Sequence, residues 1–239
     1  MVAQPVAAGR QEGKLLTPRI KRFAVTAVAG MMLATASGAQ ACAGARGQRL
    51  AVEFAVLALR VHRLETPGPD TRSRARLRAK LGSALGVLPL LARSCLGESG
   101  QKPDRTLLPE VLQLQRLYGR GQLSALAVHL RRLGRRYPVD TRGLLPLPAD
   151  AAALRTGHVL YRNLCMGCHS FPDPRSPVPA PDLFALARTL SATGLVASLV
   201  NGVRGTSGTT LVNPLDNQSI ADLAAYLRAG RLSGHQPAR

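Results

Sequence analysis

Residues 137–148 read YPVDTRGLLPLP, a stretch rich in proline and glycine. Proline locks φ and has no N–H to donate, so neither a helix interior nor a central strand runs through such a segment. The chain must therefore build its regular structure separately on either side. On both sides apolar residues recur at helical spacing, and no stretch reads as a strand. Helices are expected at 48–63, at 71–94 with an interruption near Pro89, at 107–118 and at 122–133. After the linker they are expected at 151–165, 183–189, 191–201 and 219–230, the first of these capped by Asp150. Proline- and glycine-rich loops occupy 171–182 and 202–214. The reading is an all-α protein with a division into residues 1–41, 42–149 and 150–239.

The first of these segments reads as an export signal. Arg19, Lys21 and Arg22 precede the apolar run FAVTAVAGMMLA at 23–34, and Ala39 and Ala41 fit a small-residue cleavage site just before Cys42. An uncleaved anchor is the alternative, although the apolar run is short of the roughly 20 residues that a span needs. Lipid modification of Cys42 is a third reading, for which Gln40 is a poor neighbour. Export implies an oxidising compartment, the periplasm or the extracytoplasmic face of a membrane. Four cysteines are present: Cys42, Cys95, Cys165 and Cys168. If the last two bind a group, the first two are left either to bridge or to stay as thiols, and spacing does not decide between these.

The chain carries a formal charge of +19. Most of it lies before the linker: residues 42–149 hold 19 Lys or Arg against 7 Asp or Glu, and residues 150–239 hold 8 against 5. The excess suits an acidic protein surface or anionic lipid headgroups. Nucleic acid is not expected, because no recognition motif accompanies the charge.

The chemistry is concentrated in NLCMGCHSF, residues 163–171. Two thiols separated by two residues can bind zinc, cycle as a dithiol, or add across the vinyl groups of a haem. The histidine that follows at once selects the third, since C-x-x-C-H is the c-type haem attachment pattern. Cys165 and Cys168 would tether the porphyrin, and His169 would supply the proximal nitrogen. Zinc would need a second pair of ligands that the sequence does not offer as thiols.

Residues 150–230 resemble a class I cytochrome c domain. Gly157 and Tyr161 in GHVLYRNLCMGCH match that family's first helix, and Leu223 and Tyr226 in DLAAYL match its last. The resemblance implies that these two helices cross, that the Pro181 carbonyl in APDLF accepts the His169 ring N–H, and that Leu183 and Tyr161 pack against one covalent haem c. The whole chain also resembles the diheme cytochrome c4 group, two such domains in tandem. The helix QLSALAVHLRRLGR at 122–135 echoes SIADLAAYLRAGR at 219–231. The first half departs from that pattern, for it has no C-x-x-C-H. It reads as a degenerate, haemless cytochrome-like domain.

The family's distal methionine is missing. Methionines occur at 1, 31, 32 and 166 only, and none follows the attachment site. Asn213, before Pro214, is the local substitute, and Ser207 and Gly208 also fall where relatives place the ligand. His62, His129, His158, His235, Lys80 and Lys102 are the other candidates from this chain. An open position and a ligand from a partner complete the alternatives. The sequence thus supports an electron-transfer protein or subunit docking on a redox partner with an acidic surface. Its alternative is a five-coordinate haem that binds a diatomic gas. No acid–base pair for efficient peroxide chemistry stands out, and no catalytic residue is assigned.

Overall fold

The computed structural model describes residues 42, 44–67, 70–96, 104–171, 180–202 and 215–230. Residues 1–41, read above as an export signal, and Lys102, Ser207, Gly208, Asn213 and His235 lie outside the described residues. Among the described residues all regular structure is helical, and no helix there is long and apolar enough to cross a membrane.

Four helices precede the linker: α1 (Gly44–Glu65), α2 (Thr71–Leu96), α3 (Leu107–Gly119) and α4 (Leu123–Arg136). Helical spacing puts Leu50, Phe54, Leu57, Val61 and Leu64 of α1 on one side, and they are buried with Leu81, Leu85 and Leu88 of α2 and Leu126, Leu130 and Leu133 of α4. Each such side chain removed from water contributes about 1.5–3 kcal/mol before the entropy of ordering is set against it. Cys42 and Cys95 are joined by a disulfide that pins the start of α1 to the end of α2. The question that spacing left open is thereby answered.

Asp70 caps α2, its carboxylate accepting from the Ser73 backbone N–H at 2.9 Å and from the Ser73 hydroxyl at 2.7 Å. The helix then runs unbroken through Pro89, contrary to the interruption expected there. Proline takes away the N–H that would bond to Leu85 four residues earlier. The Gln115 side-chain amide, on α3, donates to the Leu85 carbonyl at 2.9 Å instead. The neighbouring helix supplies the donor that the proline lacks.

Five helices follow the linker: α5 (Ala151–Leu164), α6 (Met166–His169), α7 (Leu183–Thr189), α8 (Ala192–Asn201) and α9 (Asn217–Ala229). Asp150, Asp182, Ser191 and Asp216 cap α5, α7, α8 and α9 by accepting backbone N–H groups of the first turn. The second apolar cluster gathers Tyr161, Phe184, Leu195, Val196, Ile220, Leu223, Tyr226 and Leu227. It reaches back into the linker, where Leu144 is buried in it.

The linker is tied at both ends. Gln48 of α1 donates to the Asp140 carbonyl and accepts from the Asp140 N–H, each at 2.8 Å. Asn217 of α9 donates to the Arg142 carbonyl at 3.3 Å. A third small cluster joins the two halves directly, with Val52 and Val56 of α1 against Ala197 of α8.

Candidate functional site

The site grows from the crossing of α5 and α9. A Cβ at Gly157 would overlap the Asp222 carbonyl oxygen and stand 2.7 Å from Tyr226 Cβ. Glycine therefore lets the two backbones approach as no other residue can. Their closeness brings Tyr161 and Tyr226 into one aromatic group with Phe184. Tyr161 and Phe184 meet edge to face at 5.0 Å, Phe184 and Tyr226 at 5.6 Å, and the two tyrosine rings lie 5.8 Å apart.

At the end of α5 the chain makes one further turn, α6. The Cys165 carbonyl accepts from His169 N–H at 3.0 Å, and Ser170 N–H donates to the Met166 carbonyl at 2.9 Å. This turn holds both thiols and the imidazole on a single helical loop. The Tyr161 hydroxyl and Ser170 hydroxyl share a hydrogen bond of 2.6 Å, which anchors the far side of the turn. Cys165 is half-buried, Cys168 is exposed, and the two are not bridged to each other. Burial, and secondarily the neighbouring Cys168, raise the Cys165 thiol above its ordinary pKa. A dithiol redox centre needs the opposite shift at its attacking sulfur.

The His169 ring is held from the other side of the loop. Its Nδ1 lies 2.6 Å from the Pro181 carbonyl oxygen. A carbonyl only accepts, so Nδ1 carries a proton, and in the neutral tautomer that this bond selects Nε2 holds the lone pair. Pro181 is in turn fixed by its successor, because Asp182 caps α7 through Phe184 N–H at 2.8 Å and Ala185 N–H at 3.2 Å. Leu183 and Met166 are partly buried against the second apolar cluster.

Cys165, Cys168, His169, Pro181, Leu183 and Tyr161 are thus carried by contiguous elements around one turn. His158 lies beside Tyr226, ring centroids 5.2 Å apart, on the α5–α9 crossing. His62 is exposed on α1, Lys80 is exposed on α2, and His129 is half-buried on α4 with Nδ1 3.4 Å from an Arg132 nitrogen. Sequence reasoning passed over three contributors. Phe184 fills the centre of the aromatic group, and its place one residue after Leu183 was the available signal. Asp222 supplies the backbone that Gly157 meets, and Ser170 anchors the turn.

Among the described residues no group of three or more His, Cys, Asp or Glu converges to hold a metal ion by itself. What the turn offers is two free sulfurs and one imidazole nitrogen, with the imidazole's orientation set by a backbone carbonyl. Comparison with protein-family models, curated proteins and solved structures finds no match to this chain.

Proposed function

We propose that this chain is an electron-transfer protein or subunit carrying one covalently attached haem c on a class I cytochrome c fold. The hydrogen bond from His169 Nδ1 to the Pro181 carbonyl carries the reading. It leaves Nε2 to face a metal and fixes the ring plane, the arrangement that metal-ligating histidines commonly have. The two unbridged thiols fit the same group, one thioether from Cys165 and one from Cys168. When bound, the haem supplies a one-electron couple whose potential depends on axial ligand, burial and nearby hydrogen bonds. Tyr161, Phe184 and Tyr226 form a dry wall beside the turn, and Leu183 stands next to the residue that holds His169. None of these side chains is required to move a proton, which suits electron transfer better than catalysis.

The compartment proposed is extracytoplasmic. The Cys42–Cys95 bridge supports it, because disulfides persist in oxidising surroundings. The first half is proposed to be a degenerate cytochrome-like domain that docks an acidic redox partner. The packing of α1 on α4, the first and last helices of that half, is consistent with this, as α5 packs on α9 in the second. A second reading, a haem that binds a small diatomic ligand, is favoured by one observation: no methionine follows Met166.

The test is the intact mass of the chain after expression in a host that matures c-type haem. The expected result is one haem added, and none when Cys165 and Cys168 are both changed to alanine. An unmodified mass for the native chain in a host that matures other haem c proteins would falsify the proposal.

A further inference from the structure

Helix α2 carries Arg72, Arg74, Arg76, Arg78, Lys80 and Arg93 and not one acidic residue. Positions 72, 76, 79, 83, 87 and 90 recur at three- and four-residue spacing and so share a face. That face points outward. Arg72, Ala79, Ser83, Val87 and Leu90 are exposed, Leu90 by 69 %, and Arg76 is half-buried. The opposite face, with Leu81, Leu85, Leu88 and Ala92, is buried in the first core. The outward stripe is ordered along the helix: cations first, small residues in the middle, apolar side chains last. Lys80 adjoins it, and Arg72, Arg76 and Lys80 have no ion-pair partner among the described residues.

The placement is unfavourable for a helix considered alone. Arg72, Arg74 and Arg76 occupy the first two turns, where the macrodipole is positive. Arg60 and Arg63 of α1 add their field. Lys80 is exposed to solvent, yet desolvation by the atoms around its ammonium, and then these two charges, hold it below the ordinary lysine range. An anionic surface laid against this stripe would offset the charges of Arg72, Arg76 and Lys80.

We infer that the outward face of α2 docks the protein on an anionic lipid bilayer, with Arg72, Arg76 and Lys80 among the headgroups and Val87 and Leu90 entering the boundary of the acyl chains. The stripe from Arg72 to Leu90 runs roughly 27 Å along the helix. Exposed apolar side chains next to Lys and Arg let one surface meet both the headgroup charge and the edge of the acyl chains. An acidic protein surface would use the cations but would leave Leu90 with no matching role.

The exported, haem-loaded chain, checked by mass to lack the 23–34 apolar run, is to be sedimented with vesicles of phosphatidylcholine alone and with vesicles that also contain phosphatidylglycerol. Binding is expected only to the second. The combined Arg72→Gln, Arg76→Gln and Lys80→Gln variant should bind about a hundredfold more weakly, at about fivefold per cation. Leu90→Ser should weaken vesicle binding about tenfold and leave binding to polyglutamate unchanged. Arg131→Gln, Arg135→Gln and Arg155→Gln together remove the same charge from other helices and should retain most of the binding. Far-UV circular dichroism checks that each variant is folded. Equal binding to phosphatidylcholine vesicles overturns the inference, as does equal loss in the two triple variants. So does a Leu90→Ser variant that binds vesicles normally while loss of the α2 cations weakens vesicle and polyglutamate binding alike. That last result would assign the face to an acidic protein.

Discussion

Gly157 on α5 lies against the Asp222 carbonyl of α9 so closely that even a methyl group would overlap it. Gly157→Ala should therefore force the two helices apart, at a cost of about 1–3 kcal/mol. Gly134 on α4 has nothing within 4 Å of an added Cβ. Gly134→Ala should stabilise by about 0.5–1 kcal/mol through helix propensity alone. Thermal unfolding of both variants decides the matter; equal effects would mean that the crossing tolerates a side chain.

The disulfide is predicted to matter in proportion to the loop it closes, whose ends are separated by 53 residues. In the chain-entropy account such a loop is worth ~4 kcal/mol. Cys42→Ser with Cys95→Ser should then lower the melting temperature by on the order of ten degrees. The haem spectrum should survive at room temperature, because the bridge lies wholly in the first core. A spectrum lost together with the bridge would tie haem retention to the first half.

Stability should fall at both ends of the pH scale, for reasons traceable to one group of residues. Asp104 is pulled two ways: burial raises its carboxyl, while hydrogen bonds from Tyr137 and Thr106 and the charge of Arg136 lower it further, so that the net shift is downward from 3.8. A depressed carboxyl contributes stability above its unfolded value, and that contribution disappears as the pH falls through the folded one. Tyr137 is shifted upward from 10.0, first by burial and then by its hydrogen bond to Asp104. Its contribution is complete below pH 10 and is lost as the pH rises toward the folded value. Tyr137→Phe should remove the alkaline limb and cost about 1–3 kcal/mol near neutrality. Urea melts across the pH range would test this, and an alkaline limb that persists in Tyr137→Phe would place its origin elsewhere.

The absence of methionine after Met166 yields an optical prediction. The oxidised protein should lack the weak near-infrared absorption of methionine–iron ligation and should contain high-spin iron. The reduced protein should bind carbon monoxide without a slow ligand-release step. Where Asn213 is the residue that faces the iron, Asn213→Met should convert the spectrum to low spin. A native chain that is fully low-spin would instead indicate a nitrogen ligand, and histidine-to-alanine changes at His62, His129, His158 and His235 would identify it.

Much of the local architecture was legible. Residues 183–189 form the helix expected there, and Asp150 caps α5 through Ala152 and Ala153. These features are set by neighbours in sequence, and spacing suffices to find them. Features set by distant partners were not legible. The local rule for proline argued for a break at Pro89, yet α3 supplies Gln115 from across the core and the helix continues. The 137–148 stretch reads as a loose connection, because nothing in its composition reveals that Gln48 and Asn217 hold it or that Leu144 is core. Within the site the C-x-x-C-H spacing singled out residues 165–169 but not the turn they form. Its closure into α6 depends on the Cys165 carbonyl, and its bracing on Tyr161 and Ser170, backbone and hydroxyl groups that carry no motif.

The seam between Val52 and Val56 of α1 and Ala197 of α8 sets an order of assembly. A chain that emerges N-terminus first presents α1, which ends at Glu65, well before α8, which begins at Ala192. Throughout that interval α1 can bury Leu50, Phe54 and Leu57 against helices already made, but its second apolar edge stays wet. The emerging first half thus carries a valine-lined edge that only the second half can cover, so its burial is complete only once the second half has followed it.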